Sequence, residues 1–338
     1  MIASKATNND NLKESRVEVL LQGFPAHLEC HQTATAGRTV ITLERIPKGA
    51  IALQEIPYCH TIHHRYKSMT CEHCYRFSSS TKLSYPCPQN CGKYYCTEAC
   101  REAATERHVD SGSCDLSQQL NAPIAKSNKR SKLMNESLSL LVNITSNALP
   151  ISDLLFMVQD DSRLGQRAYK SAEAEFRQLT RSSPLGVSQQ RELEQDGVYA
   201  HALSTRKKNA IGMYNEYGEE IGLYLSPVIA LVNHSCLPNC QQVTADGSCR
   251  LVALRDIQVG EELSYTYVSI LKGSTTAERR ASIAYNWEFD CACGRCQGTS
   301  DCEAFDAAHT CCCGAICLAV DRGDDADVCI CNLPSVVS

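Results

Sequence analysis

The chain has 338 residues and a formal net charge of −5 at pH 7, so it is long enough for one large core with smaller modules beside it. The net charge gives no overall attraction to nucleic acid, and we expect no direct nucleic-acid binding. No apolar run approaches the length of a membrane span, and the residues after Met1 are mostly polar. We therefore expect an intracellular protein without a membrane segment.

The first strands are expected after a polar N-terminal tail. Residues 1–27 are assigned to this tail, and residues 28–66 contain short apolar runs such as Val40–Leu43 and Ile51–Leu53. Such runs are typical of strands. Because the turn signal Pro47-Lys48-Gly49 lies between them, the sequence predicts a β-hairpin there.

Cysteine is the most informative residue type in this sequence. The chain contains 22 cysteines, many of them in close pairs near a histidine. In a chain expected to be intracellular, this spacing favours zinc over disulfides. Residues 71–114 contain enough ligands for two closed tetrahedral sites, in which the metal is structural rather than catalytic. The ligands are Cys71, Cys74, Cys87, Cys91, Cys96, Cys100, His108 and Cys114.

Residues 115–205 change to a helical pattern. Apolar residues share one face of a first predicted helix, and two further stretches are rich in helix formers. Prolines separate the stretches. The predicted helices contain Met134 with Leu138 and Leu141, Ala168–Leu179, and Ser188–Leu203.

Residues 206–270 contain the motif Asn233-His234-Ser235-Cys236. Its amide and imidazole can offer polar groups to a ligand, and its thiol can bind a metal. Farther along, Cys249–Leu254 and Glu262–Val268 are predicted to pair as strands around the turn Gln258-Val259-Gly260.

The last part of the chain is again rich in cysteine. In residues 271–298, Cys291, Cys293 and Cys296 need one more ligand for a tetrahedral site, and Cys236 can supply it. The cysteines of the tail, residues 299–338, could build a fourth zinc site. A frayed tail is the alternative.

Three segments occur in a familiar order. They are the motif at Asn233, the run Gly260-Glu261-Glu262-Leu263 with the tyrosines that follow it, and the cysteine-rich segment after these. They resemble the SET domain of protein lysine methyltransferases. The cysteine order of residues 71–114 resembles a MYND finger, so the chain is similar to the SET and MYND (SMYD-type) family over residues 30–298.

The resemblance implies an α+β fold with a β-rich SET (β-clip) domain. This domain is interrupted by a MYND zinc finger and a helical SET-I insert, and a zinc-binding post-SET segment follows it. The implied boundaries are 28–66 and 206–270 for the two parts of SET, 71–114 for MYND, 115–205 for SET-I and 271–298 for post-SET.

The resemblance also implies transfer of methyl groups from S-adenosylmethionine to lysine side chains of a histone or another protein. Tyr267 matches the catalytic tyrosine, because it is the second aromatic residue after Gly-Glu-Glu-Leu. Tyr265 lies on the same face of the strand, and a packed core ring is the alternative for either of the two tyrosines. Trp287 stands where relatives often have a tyrosine, and with Tyr265 it is implied to line the lysine channel. The residues implied to bind the cofactor are Gly37, Arg38, Thr39, Asn209, Asn233, His234, Tyr267 and Phe289.

By the same resemblance, the metal ligands of residues 71–114 interleave. One zinc is assigned to Cys71, Cys74, Cys96 and Cys100, and the other to Cys87, Cys91, His108 and Cys114. Because the interval between His108 and Cys114 is longer than in the family, His73 is the alternative to Cys114. With Cys236, Cys291, Cys293 and Cys296, three structural zinc sites are expected.

Two interpretations of the finger remain open. The family implies capture of a proline-rich peptide, and a rigid spacer is the alternative. A non-catalytic, zinc-dependent transcriptional adaptor built on a SET scaffold competes with the enzyme, and Thr39 and Trp287, which depart from the family pattern, favour it. We expect a monomer, and nuclear and cytoplasmic residence are both compatible with the sequence.

Overall fold

The structure of the protein is a computed structural model that forms two compact units. Unit 1 contains the described residues of Met1–Glu55, Pro227–Val243 and Cys249–Ser338, and unit 2 contains those of Ile56–Ser226 and Thr244–Ser248. The residues described are 28–33, 37–121, 132–145, 154, 157, 160, 162–180, 197–215, 219–268 and 275–298.

Strands and helices are mixed along the chain, which confirms the α+β class. The strands are β1 (Leu28–Thr33), β2 (Gly37–Thr42), β3 (Ile51–Glu55), β4 (Cys59–Ile62), β5 (Tyr85–Pro86), β6 (Tyr94–Tyr95), β7 (Ala210–Tyr214), β8 (Glu220–Leu225), β9 (Asn233–His234), β10 (Cys240–Ala245), β11 (Ser248–Ala253) and β12 (Ser264–Tyr265). The α-helices are α1 (Glu98–Asp110), α2 (Ser113–Asn121), α3 (Lys132–Thr145), α4 (Arg163–Thr180), α5 (Val198–Asn209), α6 (Thr276–Trp287) and α7 (Gly294–Gln297). Among the described residues, no helix is both long and apolar enough to cross a membrane.

Unit 1 is built from short strands, some of which pair with a neighbour in sequence and some with a distant segment. β1 pairs with β2, and β3 pairs with β11, which also pairs with β10. Leu251 of β11 lies opposite Leu53 of β3, and both side chains are buried in the core. β9 and β12 form a parallel pair of two residues each, in which Ser264 lies opposite Asn233.

Both β-hairpins predicted for this unit are wrong. The run Val40–Leu43 lies mostly in β2, whose partner is β1, and Ile51–Leu53 lies in β3, whose partner is β11. Gly49 still occupies a turn, with a φ of +80° that favours glycine. Likewise β12 pairs with β9 and not with β11. The turn signals identified real turns, but the strands on the two sides of each turn do not pair with each other.

Unit 2 packs helices around a sheet with the order β4-β8-β7. The first two predicted helices are confirmed as α3, which buries Leu138 and Leu141, and α4. Phe176 of α4 packs edge-on against Tyr199 of α5 at 5.2 Å between ring centroids. The third predicted helix is confirmed at its C-terminal end, because α5 begins at Val198. The rest of that prediction, residues 188–196, lies outside the described residues.

Residues 71–114, here called the finger segment, have little regular structure. They contain the two-residue hairpin β5–β6, helix α1 and the start of α2. The turn between β10 and β11 approaches the finger segment closely, because the Gly247 N–H donates to the Cys74 carbonyl at 3.2 Å. Gly247 has a φ of +74°, and a Cβ there would lie 2.8 Å from the His73 carbonyl oxygen. This approach therefore requires glycine.

Candidate active site and metal clusters

The parallel pair β9–β12 forms the centre of unit 1. It sets His234 opposite Tyr265. The Leu263 N–H donates to the Val40 carbonyl at 2.8 Å, and the Ser235 N–H donates to the Tyr265 carbonyl at 3.0 Å. The segment that leads into Tyr267 is thus held between β2 and the Asn233 motif.

Asn239 fixes the same segment, although the sequence indicated only a turn there. Its side chain is buried, its Nδ2 donates to the Glu262 carbonyl at 2.7 Å, and its Oδ1 accepts from the Ser264 N–H at 2.8 Å. A buried amide with backbone partners on both sides replaces the hydrogen bonds that a longer strand would make. Sequence reasoning missed this role because a Pro-Asn pair is a common turn signal.

Asn233 connects two parts of the site through its side-chain amide. Its Nδ2 donates to the Arg38 carbonyl and to Glu262 Oε1, each at 2.8 Å. Since both amide protons are used, Asn233 offers its Oδ1 as an acceptor to a ligand. Glu262 adds a half-buried carboxylate beside it. The sequence showed Glu262 only as part of a turn-to-strand signal and did not assign it to the site.

His234 lies between the main chain of Tyr267 and a cysteine sulfur. Its Nδ1 accepts from the Tyr267 N–H at 3.0 Å, so in the neutral ring the proton is on Nε2, which lies 3.2 Å from Cys236 Sγ. Burial lowers the pKa of His234 to about 4; Cys293 opposes this shift and Arg279 adds to it. The imidazole is therefore neutral at physiological pH.

Tyr267 is the centre of an aromatic cluster. Its ring centroid lies 5.0 Å from that of Tyr265, 5.3 Å from that of His234 and 5.3 Å from that of Trp287. Phe289 joins the cluster at 6.3 Å from His234. The Tyr267 hydroxyl donates to the Val232 carbonyl at 2.8 Å. Burial, helped by the Glu262 carboxylate, raises its pKa above the ordinary value, so the hydroxyl stays protonated at neutral pH.

Four further residues were predicted to bind the cofactor. Three of them, residues 37–39, lie in unit 1, and the fourth, Asn209, lies in unit 2. Gly37 has a φ of +69° and open space around the position of a Cβ. Arg38 contributes its main-chain carbonyl. Thr39 is buried and its hydroxyl points to the His31 carbonyl, so it can offer only its backbone to a ligand. Asn209 belongs to unit 2, where it ends α5 and donates to the Thr205 carbonyl.

The polar groups of unit 1 fit a ligand that carries positive charge and a flat ring. The Arg38 carbonyl, Asn233 Oδ1 and the Glu262 carboxylate are acceptors for a cation. Phe289 is 39% exposed and offers a free aromatic face. S-adenosylmethionine has an ammonium, a sulfonium and an adenine, which match these acceptors and this ring.

The finger segment brings its eight predicted ligands together as two groups. Within each group the ligand atoms lie within 4.8 Å of one another, and each described cysteine is a free thiol. The measured S···S distances of 3.5 and 3.6 Å are close to the edge of a ZnS₄ tetrahedron, which is about 3.8 Å for a Zn–S bond of about 2.3 Å. The groups are Cys71, Cys74, Cys96 and Cys100, and Cys87, Cys91, His108 and Cys114.

His108 is held in the orientation that a metal ligand needs. Its Nε2 faces Cys91 Sγ at 3.0 Å, and its Nδ1 lies 2.7 Å from Ser113 Oγ, whose hydroxyl donates to the His108 carbonyl. Hydrogen bonding to the second ring nitrogen is the usual way to fix a ligating histidine. The long interval to Cys114 is accommodated, because Cys114 Sγ lies 3.6 Å from Cys87 Sγ. His73 is outside this group.

A third cluster in unit 1 contains Cys236, Cys291, Cys293 and Cys296. Cys236 Sγ lies 4.0 Å from Cys291 Sγ and 3.6 Å from Cys296 Sγ. Helix α6 delivers the later cysteines: it begins with a Thr275–Glu278 capping box and ends where Glu288 adopts a φ of +63°. All three clusters have the ligand chemistry of structural zinc sites. The proposed fourth site lies outside the described residues.

The model of the SET domain family matches residues 37–268, which is more than half of the chain. The chain therefore belongs to the SET domain family, and its relatives are of the SMYD type. Human histone-lysine N-methyltransferase SMYD3 is 27% identical over 290 residues, which cover 83% of this chain and 63% of SMYD3. Potential protein lysine methyltransferase SET6 of Saccharomyces cerevisiae is 35% identical over 102 residues, 29% of this chain and 27% of that protein.

This chain thus spans less than two thirds of the length of human SMYD3. Among solved structures, the SET domain of LSMT bound to lysine and AdoHcy matches 84% of this chain and 58% of that chain, with 11% identity and a TM-score of 0.37.

Proposed function

We propose that the protein is an S-adenosylmethionine-dependent protein-lysine N-methyltransferase. The observation that supports this most strongly is the arrangement of Tyr267. Its hydroxyl is anchored on the Val232 carbonyl and its N–H on His234, within a cluster of aromatic rings beside Asn233. Membership of the SET domain family agrees with this activity.

S-adenosylmethionine, when bound, supplies an electrophilic methyl group. Residues 37–39, Asn233 and His234 would hold it through backbone and side-chain polar groups, with Phe289 against its ring. Acceptors in this set favour a cationic ligand over a neutral one. Asn209 is a further candidate from the sequence.

The residues around Tyr267 suit a lysine side chain. Aromatic rings such as those of Tyr267 and Trp287 attract a cation and pack against its aliphatic stem. The Tyr267 hydroxyl uses its proton on Val232, so its oxygen can accept a hydrogen bond from the lysine nitrogen. This contact would orient the amine, and alignment of the reacting atoms is a large part of catalysis in such a transfer.

The substrate protein is proposed to be a histone or another protein with an accessible lysine. The finger segment is proposed to bind a protein partner, and a proline-rich peptide is the predicted ligand. A rigid spacer remains the alternative for this segment.

The first prediction concerns the Tyr267 hydroxyl. Tyr267→Phe is expected to lower methyl transfer at least about 100-fold, since one positioned hydrogen-bonding group commonly contributes that much. Binding of S-adenosylmethionine, measured by isothermal titration, should change less than about threefold because the ring remains. The assay is transfer of radiolabelled methyl to histones and cell lysate by zinc-replete protein.

Tyr285→Phe is the matched control, because Tyr285 is 82% exposed on α6. It should methylate like the unaltered protein. Normal transfer by Tyr267→Phe would contradict the catalytic assignment. If the unaltered protein shows no label and also binds no cofactor, the adaptor is favoured. In that case the SET fold serves only as a scaffold.

A further inference from the structure

Two buried arginines contact the third cluster. Metal-bound cysteines are thiolates, so four of them around a divalent ion carry a formal charge of −2. Arg279 and Arg295 are each only 6% exposed. Arg279 Nη2 donates to Cys296 Sγ at 3.9 Å and to Thr276 Oγ1 at 3.1 Å. Arg295 Nη1 donates to the Cys236 carbonyl at 3.3 Å.

The guanidinium of Arg279 is buried against the sulfur of Cys296. A buried guanidinium is stable only next to negative charge or a full set of acceptors. The four-cysteine cluster of the finger segment is different, because Cys74, Cys96 and Cys100 are only half-buried and water can screen its charge.

We propose that Arg279 and Arg295 are the built-in counter-charges of the third cluster, so that a bound divalent metal fixes helix α6 and the aromatic residues that follow it. With the metal present, two guanidiniums balance the formal charge of the four thiolates and the ion. When the metal leaves, the four thiolates take up protons and become neutral thiols, so two positive charges remain buried with no dianion between them. Helix α6 must then shift to bring Arg279 into water.

This shift would reach the candidate active site. Trp287 is the last residue of α6, and its ring lies 5.3 Å from that of Tyr267. Occupancy of the cluster therefore controls whether Trp287 packs against Tyr267. The metal would act on methyl transfer through the position of an aromatic wall, without contacting the substrate. Only this last step rests on the proposed function.

Trp287 is also the only tryptophan in the chain, so its fluorescence reports on α6. The test uses the full zinc-loaded protein with a chromogenic zinc chelator, recording zinc release and Trp287 emission together. The variants are Arg279→Gln, which removes the charge, and Arg279→Lys, which keeps it. Arg45→Gln is the matched control, since Arg45 is also an arginine of unit 1 but its side chain is 56% exposed and pairs with Asp256.

We expect the zinc-release phase that accompanies the Trp287 change to be about 10 to 100 times faster in Arg279→Gln, the usual cost of losing a group that supports a metal ligand. Arg279→Lys should stay within about fivefold of the unaltered protein, and the remaining zinc should leave at unchanged rates. Equal release from Arg279→Gln and Arg45→Gln would overturn the proposal. So would zinc loss from the third cluster with no change in Trp287 emission.

If Arg279→Gln does not fold, Arg295→Gln tests the same inference with the same expected acceleration. Neither zinc release nor fluorescence requires cofactor or substrate. A protein that shows the zinc-linked change but no methyl transfer would therefore contradict the proposed function and leave the charge-balance inference standing.

Discussion

The two regions that contain candidate metal ligands use the same residue types in different structural settings. In the finger segment, Cys71, Cys87, Cys91 and Cys114 are buried around Tyr95, so the metal ligands are themselves the core. The third cluster instead joins Cys236 to three cysteines at least 55 positions later, and among the described residues Ile283 completes its buried set. A metal bound in the finger segment would replace a hydrophobic core, whereas one bound in unit 1 would close a long loop onto the candidate active site.

The largest effect is expected when one cysteine ligand is removed from each region in turn. The two variants test whether the regions differ as described. A structural zinc site contributes about 10–16 kcal/mol of binding free energy, so loss of one ligand should release that metal. Cys291→Ala should change Trp287 fluorescence and expose residues 275–298 to protease. Cys87→Ala should expose residues 71–114 and leave Trp287 emission unchanged. Mass spectrometry of the first cleavage products, with metal analysis, measures both results.

Cys240→Ala is the control for this pair. Cys240 is buried in unit 1 but belongs to none of the three clusters. The Cys240→Ala variant should keep the full metal content and the cleavage pattern of the unaltered protein. Identical cleavage of Cys87→Ala and Cys291→Ala would show that the two regions unfold together, contrary to the distinction drawn above.

The same comparison shows what the sequence can predict. The finger ligands lie within 44 residues, so their spacing indicated all eight, with His73 left as the alternative to Cys114. The third cluster was also found, because Cys291, Cys293 and Cys296 form an incomplete set that demands a fourth ligand. Metal sites are predictable because coordination fixes both the number and the type of ligands.

Strand pairing could not be predicted in this way. The turns at Gly49 and Gly260 suggested that neighbouring strands pair, but β3 pairs with β11 across almost 200 residues of chain. Backbone hydrogen bonds carry no sequence information, so partner choice depends on how buried side chains such as Leu53 and Leu251 pack. Glu262 and Asn239 were missed for a similar reason, since their partners are main-chain or amide groups on distant segments.

A medium effect is expected from a buried ion pair that joins the finger segment to β4. Glu72 Oε1 lies 2.7 Å from Lys93 Nζ and 3.3 Å from His60 Nε2. Burial by itself would raise the pKa of Glu72, but Lys93 and His60 outweigh it and hold that pKa well below its ordinary value. Glu72→Gln leaves Lys93 without its charge partner and should cost about 3–5 kcal/mol of unfolding free energy.

Chemical denaturation of zinc-loaded protein at pH 7 measures this cost. Glu98→Gln is the control, because Glu98 pairs with Arg101 on an exposed face of α1 and should change stability by less than about 0.5 kcal/mol. Since the pKa of Glu72 is depressed in the folded state, its contribution is present above the unfolded pKa and lost as pH falls. Equal costs for the two variants would mean that water reaches the Glu72 site.

The smallest effect is expected from a buried carboxylate of unit 1, which can be compared with Glu72 of unit 2. Glu55 accepts hydrogen bonds from the Val228 and Ile229 N–H groups, with Oε2 at 3.2 and 3.1 Å. Burial raises its pKa to about 8, and these two N–H groups only partly oppose the shift. Between the ordinary pKa of 4.5 and about 8, the folded protein therefore holds a proton that the unfolded chain has lost. By linkage, this group makes the free energy of unfolding fall as pH rises through that interval.

Glu55→Gln keeps an acceptor for both N–H groups and removes the titration. Its stability relative to the unaltered protein should therefore increase steadily from pH 5 to pH 8, as measured by denaturation across that range. Parallel curves would show that Glu55 is ionised in the folded protein, held by backbone N–H groups as firmly as Glu72 is held by Lys93. A widening difference would show that the two carboxylates respond to pH in opposite directions because only Glu72 has cationic partners.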